Sequence, residues 1–427
     1  MTVTQNIAFH SGGRGAWATQ RVARRIVLGL LRGLRAGRLT ILDGDRRVVF
    51  GEGAPCATVQ VNSPRLWPKL LQGSRGMAEA YTQELWESPD LTAVVRVAAR
   101  NAPSLDRWRR RLAPARVPLQ AARGVRARNT HARSRSDIAA HYDLGNDLFG
   151  LMLDETMMYS SAYFPREDIT LAQASRAKIE LVCKKLNLHP GDHVLEIGTG
   201  WGGFAVHAAQ TTGCRVTTTT ISREQYEHAR EWVQSVGVAD LVTVLCEDYR
   251  DLRGRYDKLV SIEMIEAVGY REFGTFFETC SDLLVDDGAM LLQAIVIDDR
   301  AYAVEKASRS FIRTHIFPGG CLPSLGVIGR CVARHTDLRA VQLTDLTPHY
   351  AETLRRWRAN FEAATVRLER LGYDERFQRL WRMYLAYCEA GFAERRIGSV
   401  QMLLGKPRWR GSAGLIGAYE TPRTLTS

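Results

Sequence analysis

The stretch from His193 to Gln225 constrains this chain more than any other. It reads HVLEIGTGWGGFAVHAAQTTGCRVTTTTISREQ. Val194, Leu195 and Ile197 form a short apolar run that ends in Gly198-Thr199-Gly200-Trp201-Gly202-Gly203. An apolar helical pattern follows (Phe204, Ala205, Val206, Ala208, Ala209), then a β-rich run from Arg215 to Ile221. Strand, glycine turn, helix and strand make the opening βαβ unit of a doubly wound sheet. The glycines let backbone approach a bound nucleotide where a Cβ would collide.

Gly198, Gly200 and Gly203 also spell GxGxxG, so a nicotinamide cofactor has to be weighed. Two features argue against it. Glu196 stands inside the strand just before the first glycine, and the second strand ends in Thr217-Thr218-Thr219-Thr220, with no acid to hold a ribose. The segment resembles motif I of class I S-adenosylmethionine (SAM) methyltransferases, whose acidic residue before the glycines orders the loop around the methionine end of the cofactor.

Beyond this unit the βαβ rhythm continues. Strands are expected at 193–197, 215–221, 241–246, 257–263, 288–297 and 338–343, with helices between them. A helical insertion runs from Asp299 to His315, and a helical tail covers Tyr350 to Leu371 and Asp374 to Gly391. Ahead of them lies a smaller α+β piece: β-like runs at Arg38–Leu42, Arg47–Phe50 and Ala57–Val61, then helices at Arg65–Gln72, Met77–Leu85 and Leu91–Arg100. Arg21 to Arg35 reads as a basic amphipathic helix with Val22, Ile26, Leu30 and Leu34 on its apolar face. It either docks on the core or lies on a membrane surface. The arginine-rich stretch Leu119 to Ser136 marks a linker. The expected division is an N-terminal α+β domain over residues 1–125 and a catalytic domain over 126–427. A chain of 427 residues has room for both.

Composition narrows the function classes. Gly288 to Ile297, the longest uncharged apolar run near the expected core, is far too short to span a bilayer. Ile26 to Leu31 is interrupted by Arg32 and makes no signal peptide. The eight cysteines (56, 183, 214, 246, 280, 321, 331, 388) are scattered without a CxxC, which fits reduced thiols in a cytoplasmic protein and no metal site. The net charge of +12 is concentrated: eleven arginines stand between Arg100 and Arg135 against one acid, Asp106. Such a surface seeks phosphate, in nucleic acid or lipid headgroups, unless it is only a solvated linker. Nucleic acid is disfavoured, because the arginines do not interleave with aromatics and no NPPY-like or catalytic PC motif is present.

Four further segments narrow the reading. They are His141-Tyr142-Asp143-Leu144-Gly145-Asn146-Asp147 with Met157-Met158-Tyr159-Ser160-Ser161-Ala162-Tyr163-Phe164; Ser261-Ile262-Glu263-Met264-Ile265-Glu266-Ala267-Val268-Gly269; Ile316-Phe317-Pro318-Gly319-Gly320-Cys321-Leu322-Pro323; and Pro348-His349-Tyr350-Ala351-Glu352 with Tyr387-Cys388-Glu389-Ala390-Gly391-Phe392. With GTGWGG, in this order, they resemble the cyclopropane-fatty-acyl-phospholipid synthase family and its mycolic-acid relatives over about residues 60 to 405. The N-terminal domain is similar to that of the phospholipid-acting branch.

The resemblance implies a class I SAM-methyltransferase fold: a mostly parallel seven-stranded sheet with flanking helices, preceded by the smaller α+β domain. It implies transfer of the SAM methyl carbon to a cis double bond in a phospholipid acyl chain at the inner face of an anionic membrane, with bound bicarbonate as the base. A methylene- or methyl-branching enzyme, one acting on a carrier-bound chain, and a lipid-binding homologue without turnover remain as alternatives, and a homodimer is left open. For SAM it implies Gly198, Gly200 and Gly202 at the methionine and ribose, with Glu196 and Thr199 in the same turn. Tyr159 and Ser160 would cover the cofactor, Thr220, Ser222 and Gln225 would meet the ribose region, and Asp248 and Tyr249 the adenine edge. For bicarbonate it implies Glu266, Tyr350, Ser161, Gln293 and the backbone of Ile295, and Cys388 matches a cysteine traditionally assigned as catalytic.

Three positions depart from the family pattern. Ser161 stands where a cysteine is usual, Gln293 where a histidine is common, and Ala267 replaces another histidine. A glutamine still donates a hydrogen bond but carries no charge. Glu263 and Glu389 read as framework residues, Cys388 reads equally well as a packing thiol, and Pro318-Gly319-Gly320 as a loop near the acyl channel.

Overall fold

The residues ahead of the arginine-rich segment build a small sheet of their own. In this computed structural model, which describes residues 14–102, 145–308 and 310–411, β1 (Arg38–Asp43) and β2 (Arg46–Phe50) form a hairpin. Its two-residue turn has Gly44 at φ 58°, as such a turn requires. β1 pairs in parallel with β3 (Cys56–Val61), which carries the short β4 (Trp86–Glu87), giving the order β2-β1-β3-β4. The linker, the 125/126 boundary and the start of the HYDLGND segment lie outside the described residues.

The first helix spans Arg14–Leu31, several residues earlier than its pattern suggests, and it is rotated from the expected orientation. Ala23 and Val27 are buried, whereas Val22, Ile26 and Leu30 are 60%, 47% and 45% exposed. Arg24 fixes that rotation. Its guanidinium pairs with Asp43 at 2.8 Å and lies 5.5 Å from the Trp67 ring centroid, which turns the neighbouring Ala23 and Val27 inward. Of the two readings left open, the Val22, Ile26 and Leu30 stripe thus points outward, away from the core.

The larger sheet has the order β10-β11-β9-β8-β5-β6-β7. β5 (His193–Ile197), β6 (Arg215–Thr219), β7 (Val242–Leu245), β8 (Tyr256–Ile262) and β9 (Leu284–Ile297) run parallel. β10 (Arg339–Asp345) occupies the edge. β11 (Ile397–Gly405) inserts antiparallel between β9 and β10 and is the strand missing from the sequence expectation. Its run IGSVQMLLG has the near-continuous apolar character of a strand covered on both faces, but it follows a long helix almost directly. Apolar clusters lie on both faces of the sheet, as in the class I SAM-methyltransferase fold. The strand order reverses at β5, with β6 and β7 on one side and β8 and β9 on the other, which opens a crevice at the carboxyl ends of β5, β6 and β8.

A third cluster joins the two sheets. Trp67 and Trp86 from the first piece share it with Trp357 and Trp381 of the helices Thr347–Ala363 and Glu375–Ala393. Arg379 fastens the joint: it donates to the Tyr81 carbonyl at 3.0 and 2.7 Å, pairs with Glu87, and stacks 4.2 Å from the Tyr81 centroid. The small domain is thus seated on two helices whose Trp357 and Tyr384 meet Tyr159, a residue lining the crevice. Among the described residues no helix is long and apolar enough to cross a membrane, and no cluster of metal-binding side chains occurs.

Candidate active site

The crevice is a cleft that, counted out to its open mouth, holds about 1100 Å³. Glu196, at the end of β5, is buried and accepts a 2.6 Å bond from the Thr218 hydroxyl, which also meets the Thr199 hydroxyl at 2.7 Å. Burial pushes the Glu196 pKa up to about 8, against the opposing pull of Thr218 and Lys178. Gly200 has φ +54° and nothing within 4 Å of where a Cβ would stand, so its backbone faces open cleft. Gly203 differs: a Cβ there would sit 2.5 Å from the Thr156 carbonyl.

Most of the residues expected to hold SAM do line this cleft. Tyr159, Ser160, Gly198 and Thr199 form one wall, with Thr220, Gln225, Asp248 and Tyr249 opposite. Two are placed differently. Gly202 makes room for helix packing, since its Cβ would meet that of Ala229 at 3.2 Å. Ser222 caps the helix Arg223–Ser235 by accepting from the Gln225 N–H. Asp248 also has structural work, for Arg250 holds its two oxygens at 2.8 and 2.7 Å. Thr220 donates to Gln225 Oε1 at 2.8 Å, so the end of β6 is preorganised without a carboxylate.

Sequence reasoning missed Lys178. It lies on the helix Leu171–Leu186, is wholly buried, and donates to Ser160 Oγ at 3.0 Å. Burial lowers its pKa to about 8, while Glu263, Glu196 and Asp154 pull it back up. A lysine in an amphipathic helix reads as solvent-facing, so no local signal marked it.

The polar groups at the other end of the cleft do converge, but on a different carboxylate from the one expected. Tyr350 donates to Glu263 Oε2 at 2.6 Å, Gln293 Nε2 to Glu263 Oε1 at 2.8 Å, and the Ser161 N–H to the same oxygen at 3.0 Å. Glu263 is therefore the centre of the cluster, not framework. Glu266 is held by the Ile295 N–H at Oε1, and its Oε2 is buried with no partner among the described residues. Burial first and Glu263 second push the Glu266 pKa up to about 8. Burial also raises Glu263, but its three donors oppose that shift. Against those three donors Glu266 has the Ile295 N–H and an oxygen with no partner among the described residues, so the two carboxylates, both raised by burial, sit in unlike surroundings.

Aromatic rings wall this end. Tyr350 stacks on Phe392 with centroids 4.2 Å apart, and the hydroxyls of Tyr159 and Tyr384 meet at 2.6 Å. Cys388 packs beside them. Burial raises its pKa to about 12, so the thiol stays protonated at neutral pH and is not an activated nucleophile. Glu389 pairs with Arg358 at 2.8 Å, a framework contact as expected. The turn at Pro318-Gly319-Gly320 is tied to the site through the Cys321 N–H, which donates to the Glu266 carbonyl at 2.8 Å.

The profile of the family described as mycolic acid cyclopropane synthetase matches residues 129–402. Tuberculostearic acid methyltransferase UfaA1 of Mycobacterium tuberculosis is 39% identical over 366 residues, covering 81% of this chain and 84% of that protein. The cyclopropane-fatty-acyl-phospholipid synthase of Escherichia coli is 34% identical over 362 residues, covering 83% and 89%. Both alignments are longer than the part of this chain from residue 126 onward, so the likeness runs into the N-terminal domain. The solved mycolic acid cyclopropane synthase CmaA1, complexed with SAH and CTAB, superposes with a TM-score of 0.60 at 33% identity; it covers 64% of this chain and 98% of its own. The chain is a SAM-dependent methyltransferase and belongs to the mycolic acid cyclopropane synthetase family.

Proposed function

We propose that the protein adds the methyl carbon of SAM to the cis double bond of an unsaturated acyl chain in a phospholipid and leaves a cyclopropane ring. One observation carries this reading: the glycine turn and Glu263, on which the polar cluster converges, line the same cleft. SAM supplies an electrophilic methyl group. The turn from Gly198 to Gly200, with Tyr159 and Ser160, fits its methionine end, and Gln225, Asp248 and Tyr249 fit its nucleoside. An alkene is a feeble nucleophile, so the site has to hold it against that methyl in a dry space. The ring faces of Tyr350, Phe392 and Tyr159 suit the positive charge that develops on the chain. A base must then take a proton. If it comes from the added carbon, the chain closes to a ring or, after a hydride shift to the cationic neighbour, keeps an exomethylene group. The 39% identity to a tuberculostearic acid methyltransferase favours keeping the second product in view.

The substrate lies in a bilayer, and the helix Arg14–Leu31 offers a way to reach it. Val22, Ile26 and Leu30 project outward beside Arg21 and Arg25, an apolar stripe flanked by cations that fits the inner face of an anionic membrane. The arginines between Arg100 and Arg135 would add to that attraction. The test is to incubate the protein with SAM and vesicles of a cis-unsaturated anionic phospholipid. Acyl chains one CH₂ heavier support the reading; unchanged chains with SAM bound and vesicles occupied would end it.

A further inference from the structure

We propose that the Glu263 carboxylate is itself the base of the reaction, seated where bicarbonate would otherwise bind, so that this enzyme needs no external anion. The proposal rests on the carbon-transfer reading above.

The donors leave no place for a second anion. The Ser161 N–H, the Gln293 amide and the Tyr350 hydroxyl all point at Glu263, and the Ile295 N–H points at Glu266. The second hydrogen of the Gln293 amide is turned to the Ser161 carbonyl at 3.5 Å. A bicarbonate in this cluster would find these donors taken and two carboxylates facing it. Glu263 already makes the contacts that an anion there would make.

Gln293 is held in the sense this arrangement needs. Lys185 Nζ can only donate, and it does so to Gln401 Oε1 at 2.8 Å. Gln401 must then present its amide nitrogen to Gln293 Oε1, at 2.9 Å. That leaves the Gln293 NH₂ facing Glu263. The chain is sealed from water, with Lys185, Gln401 and Gln293 at 5%, 1% and 0% exposure. One buried lysine on the helix Leu171–Leu186 thus fixes the polarity of a relay that ends on the base, and it explains how glutamine works at a position where histidine is common.

The backbone agrees. Glu263 has φ 52°, a left-handed conformation that residues other than glycine seldom adopt. Its own N–H donates to the Gln293 carbonyl at 2.8 Å, which locks that turn at the end of β8. Glu263 lines the cleft with the glycine turn, whereas Glu266 is not among its lining residues, which puts Glu263 nearer the space from which the methyl comes. Wholly buried Lys178 puts a positive charge behind it. Tyr350, with its pKa driven far up by burial and by Glu263, stays a donor throughout.

The step balances. The π pair of the double bond forms the new C–C bond to the methyl carbon, and the C–S bond breaks with its pair left on sulfur. The neighbouring chain carbon is now cationic. Glu263 Oε2, which among the described residues accepts only from Tyr350, takes a proton from the added carbon. The C–H pair closes the ring; an exomethylene bond forms instead when a hydride first shifts from the methyl-bearing carbon to its cationic neighbour, and the proton passes to water as product leaves.

The test compares wild type with Glu263→Gln and Glu263→Gly, in buffer stripped of bicarbonate and with bicarbonate or acetate restored. Glycine suits φ 52°, so the second variant keeps the turn while emptying the cradle. Wild type should turn over equally in both buffers. Glu263→Gln should lose at least about a hundredfold with SAM affinity unchanged. Glu263→Gly should be idle alone and regain turnover when either anion is added. A wild-type rate that falls with bicarbonate removal, or a Glu263→Gln variant at full rate, overturns the proposal. Binding of carbon-13 bicarbonate, followed by NMR on the protein saturated with S-adenosylhomocysteine, needs no turnover and separates this idea from the choice of substrate. Binding to Glu263→Gly but not to wild type supports it, and binding to wild type refutes it.

Discussion

The two ends of the cleft are built on opposite plans. The cofactor end comes largely from one continuous stretch, where β5, the glycine turn and β6 follow each other within His193–Thr219. The reaction end is assembled from Ser161, Glu263, Gln293 and Tyr350, which the fold gathers from four separate segments. The first plan fixes backbone shape; the second fixes the surroundings of two buried carboxylates. Damage at the first end should therefore show as lost binding, and damage at the second as lost chemistry with binding intact.

The sharpest way to break this contrast uses two glycines. Gly200→Val puts a side chain into open cleft and should remove SAM binding, measured by calorimetry, while the protein stays folded. Gly203→Ala, three residues on, drives a Cβ into the Thr156 carbonyl and should cost about 1–3 kcal/mol of stability. Normal SAM affinity in a folded Gly200→Val protein would remove the cofactor end from where it is placed here.

Glu266→Gln probes the other end, with an expected loss of turnover on the order of a hundredfold and unchanged SAM affinity. The same change should stabilise the protein. An acid raised from 4.5 to about 8 by folding contributes stability below pH 4.5 and loses it as pH rises toward 8. The neutral amide escapes that loss, so the melting temperature of the variant should exceed that of wild type by more at pH 8 than at pH 4.5. A variant whose advantage does not grow with pH would mean that Glu266 ionises freely in the folded state.

A smaller effect is expected outside the cleft. Replacing Val22, Ile26 and Leu30 together with serine should weaken binding to anionic vesicles by about tenfold or more, since such a side chain is worth about 1.5–3 kcal/mol when fully buried. SAM affinity should not move. Equal vesicle binding would return the stripe to an ordinary exposed surface.

The same contrast governs what the sequence reveals. Glu196 and the glycines were legible because strand, turn and helix leave a local pattern. The convergence of Ser161, Gln293 and Tyr350 was legible only through resemblance, and their meeting point was not. Glu263 looked like framework because nothing local shows that its backbone turns left-handed and swings the carboxylate into three donors. Lys178 and Lys185 were hidden for a related reason: a buried lysine is readable only when its partners, Ser160 on one side and Gln401 on the other, are known. β11 was missed because the apolar run that makes it fits a buried helix equally well. The rotation of the first helix depended on Arg24 finding Asp43 and Trp67, contacts that helical periodicity does not contain.

The most direct test of the whole account is an isotope count. Wild-type protein is incubated with SAM carrying a fully deuterated methyl group and with vesicles of a cis-unsaturated anionic phospholipid, and the acyl chains are weighed by mass spectrometry. Carbon transfer followed by proton removal from the added carbon predicts chains that gain one carbon and keep all but one of its deuteriums. Chains that keep the whole deuterated methyl, or that gain no label from a protein shown to bind both SAM and vesicles, would contradict it.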